Sequence, residues 1–427
     1  MIGPLIQSIL IVISILIAYD FLQQTALVSR FVRYLHRQRK TSGSRNADRL
    51  PRSAVILSLR GPDPRLKDTL HALLQQDYPD FQVRIVVDHE EDPVLQDVIE
   101  VQQAAEDDRI VISVLRNPSR SCSLKCSSLI QAVEELDAET EVLAFIDGDA
   151  VPHRTWLREL VTPLALDEAD VAGGNRWYLP PAPTLGNMSR YFWNVPFLTG
   201  MWDQGAPWAG TMAFRRETAE RIGLLKEWST AMSVDATLHR CMRQNGLRFK
   251  LVESLIMPNR EDIGLASFHR WVARQMTVIR YSVSASVRTA RIQIGILGIA
   301  HTLLPATVLA AFVLGEARLG LLGCGLLLTY WLTCSLRAVF IERSIRRSLR
   351  RRGEYTDWIR PLTMLLWCPC LAATHYVVGF GVVIAMRLKQ VDWRGIRYRL
   401  SGKGVVRMQE YRPYKTEWIR ADNQSVI

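Results

Sequence analysis

The stretch Phe145-Ile146-Asp147-Gly148-Asp149-Ala150 decides the fold. It completes the apolar run 142–146, which is typical of a buried parallel strand, and two carboxylates one residue apart stand where that strand ends. In open α/β sheets ligands gather at the carboxyl ends of strands, and Gly148 lets the backbone turn so that both carboxylates approach one site. Two hard oxygen ligands suit Mg²⁺ or Mn²⁺, which completes its shell with water and substrate phosphates. An ordinary Asp-Gly-Asp surface turn is the alternative, and the surrounding pattern has to decide.

Strands and helices alternate on both sides of this stretch. Leucines at 66, 70, 73 and 74 recur with helical spacing and predict a helix that packs one face on a sheet. Apolar runs predict further strands at 54–59, 83–87, 110–115, 171–179 and 208–214, and helices are expected up to about 105, at 124–136 and at 156–166. Such alternation predicts an α/β domain with a parallel, nucleotide-binding type of sheet and right-handed crossovers.

Three further polar side chains stand where a ligand could reach them. Asp88 follows the strand at 83–87 and can accept hydrogen bonds from a base or a ribose, although it could instead cap the next helix. Lys125 opens a predicted helix and could neutralise a phosphate, with a solvated surface lysine as the alternative. Asp235 stands near the positive end of a helix that begins at about 233, where an ionised carboxylate is stabilised and can act as a general base.

Long apolar runs at both ends of the chain predict membrane-spanning helices. The chain has 427 residues, of which 48% are hydrophobic, but the middle has the pattern of a soluble domain. Residues 2–22 are long enough to cross a bilayer, and a cleaved signal peptide is disfavoured because no basic segment precedes them and no small-residue cleavage site follows. Residues 293–314 and 318–340 predict a helical hairpin, whereas 361–386 is broken at Pro369 and either crosses once or re-enters.

Basic residues follow the predicted spans and give the chain a formal charge of +11. Arg30 to Arg52 and a predicted loop from Arg343 to Arg352 are rich in arginine, which by the positive-inside rule places them and the soluble domain in the cytosol. Their position beside apolar spans favours an anionic membrane surface as their partner, and not a nucleic acid. The seven cysteines show neither zinc-site nor disulfide-framework spacing, which is typical of a reducing compartment.

These patterns divide the chain into six predicted segments. The segments are an N-terminal transmembrane helix (1–28), a basic juxtamembrane linker (29–52), a cytosolic catalytic domain (53–265), an amphipathic interfacial segment (266–292), C-terminal membrane helices (293–387) and a basic C-terminal tail (388–427).

Three motifs in the first half of the soluble domain resemble a known family. They are Ser58-Leu59-Arg60-Gly61-Pro62-Asp63-Pro64, Gln76-Asp77-Tyr78-Pro79 and Val87-Asp88-His89-Glu90-Glu91-Asp92-Pro93. Their order and spacing resemble the ceramide glucosyltransferase family, membrane-bound relatives of the inverting family 2 glycosyltransferases. The likeness runs from about Ser53 to Gln275, and residues 391–398 are similar to the family's C-terminal segment. It implies a GT-A-type nucleotide-sugar-binding domain with a mixed, mainly parallel sheet and transmembrane helices at both ends.

The same resemblance implies roles for individual residues. Asp88 would bind the nucleotide, Asp147 and Asp149 would hold the metal and diphosphate, and Asp235 would be the catalytic base. From their positions in the sequence, Arg60, Gly61, Lys125, Arg270 and Trp271 are also expected to bind the donor. Trp271 could instead stack against the acceptor, and the stretch around Arg270 could be an interfacial helix with its arginines at the lipid headgroups. Arg270 and Trp271 match the end of the family's (Q/R)xxRW motif. Ser267 departs from that motif where Gln or Arg is expected, and Val234 precedes the base where an acidic residue is common.

Taken together, residues and resemblance predict an inverting glycosyltransferase. It would move a hexose, glucose by resemblance, from a UDP-sugar to the hydroxyl of a membrane lipid at the cytosolic face. Ceramide, a hopanoid-like polyol and diacylglycerol all fit as acceptors, so the product would be a glycolipid and in the first case a sphingolipid. Two alternatives stay open, a processive polysaccharide synthase of the same superfamily and a catalytically inactive membrane scaffold.

Overall fold

The chain forms an α/β domain with long helices at both ends. A computed structural model describes residues 2–41, 49–105, 107–282, 295, 298–354, 360–401 and 405–414. The strands are β1 (Ser53–Leu59), β2 (Phe81–Val87), β3 (Ile110–Val114), β4 (Val142–Ile146), β5 (Val171–Tyr178), β6 (Thr211–Arg215), β7 (Phe249–Asn259), β8 (Gln390–Trp393), β9 (Ile396–Ser401) and β10 (Val405–Glu410). The α-helices are α1 (Ile2–Thr41), α2 (Leu66–Leu74), α3 (Val94–Ala105), α4 (Leu124–Glu134), α5 (Trp156–Ala165), α6 (Leu185–Gln204), α7 (Arg216–Arg221), α8 (Leu224–Trp228), α9 (Val234–Asn245), α10 (Leu265–Ser282), α11 (Leu304–Val313), α12 (Ala317–Arg351), α13 (Pro361–Leu366) and α14 (Cys370–Arg387).

The first seven strands form one mixed sheet in the order β3-β2-β1-β4-β6-β5-β7. Strand β1 runs parallel to β2 and β4, β2 to β3, and β5 to β7, whereas β6 is antiparallel to both of its neighbours. The predicted α/β fold with a mixed, mainly parallel sheet is therefore confirmed. Strand β7 is one that the sequence analysis did not predict.

Burial on both faces explains why the central strands are continuous apolar runs. Every residue of β4 and all but one of β1 are buried. Helices α2, α3 and α5 pack on one face of the sheet, and α4, α8 and α9 on the other, so two apolar clusters enclose it. A parallel strand in this position needs apolar side chains on both faces. Because β1, β2 and β4 run parallel, their carboxyl ends meet at one edge of the sheet.

A second, three-stranded antiparallel sheet is built by β8, β9 and β10. Its inward side chains, among them Ile396, Tyr398 and Leu400, belong to the same buried cluster as α4 and α9. Buried and exposed residues alternate strictly along β9, as expected of a strand with one face on a core. The segment 388–427 that we expected as a basic tail therefore packs on the domain as far as it is described, and residues 415–427 lie outside the described residues.

Within the described part of the chain, three helices are long and apolar enough to cross a membrane: α1, α12 and α14. A shorter apolar helix, His301–Val313, precedes α12 and packs against it, so the predicted hairpin partners are adjacent. Helices α13 and α14 are separate elements on either side of residues 367–369, where Pro369 was expected to break the helix. Most of 283–297, which includes Arg288 and Arg291 of the predicted interfacial segment, lies outside the described residues.

The basic stretch from Arg343 to Arg352 is not the loop that we predicted, because α12 continues through it to Arg351. Arg346 is buried and pairs with Glu342, whose carboxylate also accepts hydrogen bonds from the domain. Arg39, near the end of α1, donates to the carbonyl oxygen of Ser344 at 2.7 Å. The helices continue beyond their apolar segments because buried acidic and carbonyl groups satisfy these arginines, and the ends of α1 and α12 are thereby fixed to the domain.

Candidate active site

Two carboxylates and two cations meet at the end of β4. Asp147 Oδ1 accepts a hydrogen bond from the ammonium of Lys125. Arg176, on β5, places Nη2 2.9 and 3.0 Å from the two oxygens of Asp149 and 3.7 Å from Asp147 Oδ2. All four side chains are only partly buried, so a ligand can reach them. Asp147 and Asp149 therefore lie close together, both within 4 Å of Arg176, and their role as metal ligands stays a prediction.

The donor atoms at this site fit Mg²⁺ or Mn²⁺. The described residues contain no group of three or more His, Cys, Asp or Glu side chains arranged to hold a metal, so the protein offers the two aspartates alone. Such a cation commonly takes one or two carboxylates and completes its shell with phosphate oxygens and water. Arg176 Nη2 lies within 4 Å of both carboxylates and supplies positive charge beside them. We did not predict this arginine, although its place in an otherwise buried strand was a legible signal.

Lys125 connects this pair of carboxylates to Asp235. Ser123 caps α4, because its hydroxyl oxygen accepts a hydrogen bond from the N–H of Cys126 at 3.2 Å, and Lys125 lies in the first turn of that helix. Ser233 caps α9 in the same way. Burial lowers the pKa of Lys125, but Asp147, Asp235 and Asp149 together outweigh burial and raise it above its usual range. One ammonium thus interacts with three carboxylates. Although burial opposes it, Lys125 and Arg176 lower the pKa of Asp147, which stays ionised.

Asp88, at the end of β2, has one engaged and one free carboxylate oxygen. It is 2% exposed, and its Oδ2 pairs with the guanidinium of Arg60. Its Oδ1 is buried without a hydrogen-bond partner among the described residues. Burial raises the pKa of Asp88, against the lowering effect of Arg60. The expected alternative, capping of the next helix, falls to Asp92, which accepts from the N–H of Val94 at 3.0 Å. Asp88 Oδ1 is therefore left for a donor group of a ligand.

The loop after β1 holds the C-terminal segment over this end of the site. Arg60 donates through Nε to the carbonyl of Arg394 at 2.9 Å and through Nη2 to that of Arg412 at 2.8 Å. Tyr411 donates to the carbonyl oxygen of Asp88 at 3.2 Å. These contacts engage all three nitrogens of Arg60, which positions Asp88 and the C-terminal segment. Direct contact of Arg60 and Gly61 with a donor stays a prediction.

Gly61 supports a test of this loop. Its φ is +71°, and a Cβ there would lie 2.6 Å from the ring of Tyr414. Gly246 has a φ of +63° with open space around it. We expect both Gly→Ala variants to lose about 1 kcal/mol of unfolding free energy from the positive φ. Only Gly61→Ala should also displace Tyr414 and weaken binding of the donor nucleotide in calorimetry. Equal nucleotide affinity in the two variants would contradict a role of the C-terminal segment at the nucleotide site.

Asp235 stands in the first turn of α9 and accepts from three donors. Its Oδ1 accepts from the hydroxyl of Ser233 and from the N–H of Ala236 at 2.8 Å, and its Oδ2 accepts from the N–H of Ala209 at 3.3 Å. Both carboxylate oxygens are thus held in place by hydrogen bonds in the first turn of the helix. The preceding Val234, where an acidic residue was expected, is buried in the apolar core. The arrangement suits a general base.

Asp235 also lines a cavity of about 330 Å³. Its walls come from the domain and from all three candidate membrane spans, through α1, α6, α9, α10, α12 and α14. Phe192, Trp193 and Phe197 of α6 line it, whereas Tyr191 and Trp202 of the same helix pack in the apolar core.

Arg270 and Trp271 lie on α10, beside this cavity. Trp271 packs edge-on against Trp193, with ring centroids 4.7 Å apart, and so backs the cavity wall. Arg270 is exposed and donates a hydrogen bond to the hydroxyl of Ser267 at 3.0 Å. Ser267, which replaces the Gln or Arg of the (Q/R)xxRW motif, therefore contacts the arginine of that motif. Binding of the diphosphate by Arg270 and stacking of Trp271 on an acceptor remain predictions.

Comparison with known proteins found one matching family model and several similar solved structures. A family model described as glycosyltransferase like family 2 matches residues 51–277. Among solved structures, the mannosyltransferase PcManGT from Pyrobaculum calidifontis, in complex with GDP-Man and Mn²⁺, is similar at 14% identity and a TM-score of 0.46, covering 88% of this chain and 98% of that one. GalNAc-T7, solved with UDP, GalNAc and Mn²⁺, is similar at 12% identity and a TM-score of 0.39, covering 50% of this chain and 44% of that one.

The sequence has no match among curated proteins. The family match covers more than half of the chain, and it includes Asp88, both aspartates after β4 and Asp235. The chain therefore belongs to glycosyltransferase family 2, and it is a glycosyltransferase-like enzyme with a GT-A-like fold that uses a nucleotide-sugar donor.

Proposed function

We propose that this enzyme transfers a hexose, with glucose as the first candidate, from a UDP-sugar to the hydroxyl of a membrane lipid with inversion at the anomeric carbon. One observation carries the proposal. Asp235 interacts through Lys125 with the carboxylates after β4 and also lines the cavity between the domain and the candidate spans. A base in that position can serve a sugar nucleotide on one side and a lipid hydroxyl on the other.

The reaction is a single displacement in which Asp235 is the general base. Its carboxylate removes the proton of the acceptor hydroxyl while that oxygen attacks the anomeric carbon of the sugar. The bond between the anomeric carbon and the UDP oxygen breaks, UDP leaves with the bonding electrons, and the glycoside forms with inverted configuration. Holding the hydroxyl in line with the leaving group supplies much of the rate, since the transition state has oxocarbenium character.

The nucleotide would occupy the edge formed by β1, β2 and β4. Asp88 Oδ1, buried without a partner in the described chain, can accept from an N–H or O–H of the uridine. Lys125 and Arg176 are placed to carry positive charge beside the diphosphate. Asp147 and Asp149 would hold Mg²⁺ or Mn²⁺, which when bound supplies charge neutralisation for the departing UDP.

The cavity favours a lipid acceptor. Side chains of α1, α12 and α14 line it, and these are the helices long and apolar enough to cross a bilayer. A lipid whose chains lie among those helices can bring its hydroxyl to Asp235 without leaving the membrane. Exposed arginines near the helix ends, such as Arg33, Arg343 and Arg347, suit the anionic lipid surface of the cytosolic leaflet.

The proposal is tested by incubating membranes that contain the protein with labelled UDP-sugars and identifying the extracted lipid by mass spectrometry. We expect a lipid carrying one hexose, with UDP-glucose as the best donor and dependence on Mg²⁺ or Mn²⁺. Products longer than one sugar would favour the polysaccharide synthase. No transfer from any UDP-sugar to a lipid would refute the proposal.

A further inference from the structure

An ion pair lies in the wall of the cavity, between two candidate membrane spans. Asp20 of α1 and Arg337 of α12 are 7% and 9% exposed, and their Oδ2 and Nη1 atoms are 3.9 Å apart. Both residues line the cavity that Asp235 also lines. Ionisable groups among membrane helices are costly, and they commonly mark a path or a site. The mechanism proposed above uses neither residue.

The spacing of neighbouring residues shows that Asp20 and Arg337 lie on the helix faces that line the cavity. On α12 the cavity is lined by Tyr330, Cys334 and Arg337, which follow one another at intervals of four and three residues. On α1 it is lined by Asp20, Gln24 and Val28, at intervals of four. Residues at these intervals share one face of a helix. The pair is therefore part of two continuous faces turned towards the cavity.

Arg337 has unused hydrogen-bond donors in this position. Its Nε and Nη2 atoms are buried and have no hydrogen-bond partner among the described residues. The ring of Phe21 lies 5.6 Å from the guanidinium carbon and covers one face of the group. Nε and Nη2 form the side-on fork with which arginine binds two acceptor atoms or one shared acceptor. Buried donors left in this state are costly, and a ligand that satisfies them is favoured.

We propose that Asp20 and Arg337 form a subsite for an uncharged polar group of the acceptor lipid, one that carries both a hydrogen-bond acceptor and a donor, such as an amide or neighbouring hydroxyls. The acceptor atom binds the fork of Arg337 and the donor binds the carboxylate of Asp20. The pair has no net charge, so a phosphate or carboxylate headgroup would meet Asp20 as well as Arg337. This inference rests on the proposed function, because the ligand is the lipid whose hydroxyl reaches Asp235.

The subsite can be tested by binding, without turnover. The full-length protein, purified in detergent, is titrated with dodecanamide or dodecyl phosphate, and the apparent affinity of each is taken from the shift in melting temperature. We expect dodecanamide to stabilise the protein and to bind at least about tenfold more tightly than dodecyl phosphate, because two hydrogen bonds to charged groups distinguish them. Equal or tighter binding of the phosphate would overturn the proposal.

The residues are tested by the double variant Asp20→Asn/Arg337→Gln, which removes both charges and leaves neither one buried alone. Arg318→Gln, which changes an exposed arginine on the same helix, is the matched control. The affinity for dodecanamide should fall at least about tenfold in the double variant and stay unchanged in the control. An unchanged affinity in the double variant would overturn the proposal, and if that variant does not fold, the wild-type comparison of amide and phosphate decides. Amide binding in a protein that glycosylates no lipid would refute the proposed function alone.

Discussion

Asp235→Asn is expected to lower kcat for sugar transfer by about 10²–10⁴-fold, because general-base catalysis contributes about that factor and an amide cannot remove the proton of the acceptor hydroxyl. The amide fills the same volume and can still accept a hydrogen bond from Ala236 or Ala209. UDP affinity, measured by calorimetry, should therefore stay within about threefold of wild type, which is about 0.7 kcal/mol. The loss belongs in kcat and not in the KM for the UDP-sugar.

A matched control keeps this result from being a general effect of a lost charge. Asp108, in the turn before β3, is exposed, so Asp108→Asn makes the same chemical change away from the site. That variant should transfer sugar at the wild-type rate. Full turnover by purified Asp235→Asn protein would remove Asp235 from the role of base.

Asp149→Asn is expected to abolish tight Mn²⁺ binding in the presence of UDP and to lower kcat/KM by about 10²-fold or more. A bound divalent ion contributes several kcal/mol to the stabilisation of a departing phosphate, and with Asn at 149 the site would keep one carboxylate. Electron paramagnetic resonance of Mn²⁺ measures the binding step without turnover. The exposed Asp80→Asn, with an ion pair to Arg52 at 3.8 Å, is the control and should bind Mn²⁺ as the wild type does.

Arg176→Gln should change Mn²⁺ affinity in the opposite direction. The guanidinium stands within 4 Å of both carboxylates, so its removal takes away a positive charge that competes with a cation. We expect tighter Mn²⁺ binding together with slower transfer, because the diphosphate loses a cationic partner. Tighter or unchanged Mn²⁺ binding by Asp149→Asn, or weaker binding by Arg176→Gln, would contradict a metal site at these two aspartates.

Much of the fold could be predicted from the sequence, because the local pattern of apolar residues matches the burial of each element in the folded domain. The runs that became β1 and β4 are apolar throughout, and a strand covered on both faces has that composition. The leucines of α2 repeat with the period of a helix that is buried on one face. Asp88, Asp147 and Asp235 were legible as site candidates for a related reason, since each is a polar residue that directly follows a strand or begins a helix.

The rest depends on contacts between distant segments. Arg176 joins the carboxylates only because β6 is antiparallel to both β4 and β5, so that β4 and β5 run in the same direction and their carboxyl ends lie at one edge of the sheet. Arg60 is satisfied by carbonyl oxygens more than 330 positions away, so its role could not be inferred from its neighbours. The arginines at the end of α12 resembled a cytosolic loop. Only the buried hydrogen bonds that Glu342 of this helix accepts from Trp177 and Tyr191 of the domain show why the helix continues. Local sequence does not encode such pairings.

The central claim is that one carboxylate, Asp235, serves both the sugar nucleotide and a lipid in the membrane-side cavity. A cryo-electron microscopy or crystal structure of the protein with UDP, Mn²⁺ and the acceptor lipid tests it directly. We predict the diphosphate beside Asp147 and Asp149 and the lipid hydroxyl within hydrogen-bond reach, about 3 Å, of an Asp235 oxygen. A lipid bound elsewhere, or UDP bound away from the two aspartates after β4, would contradict the claim.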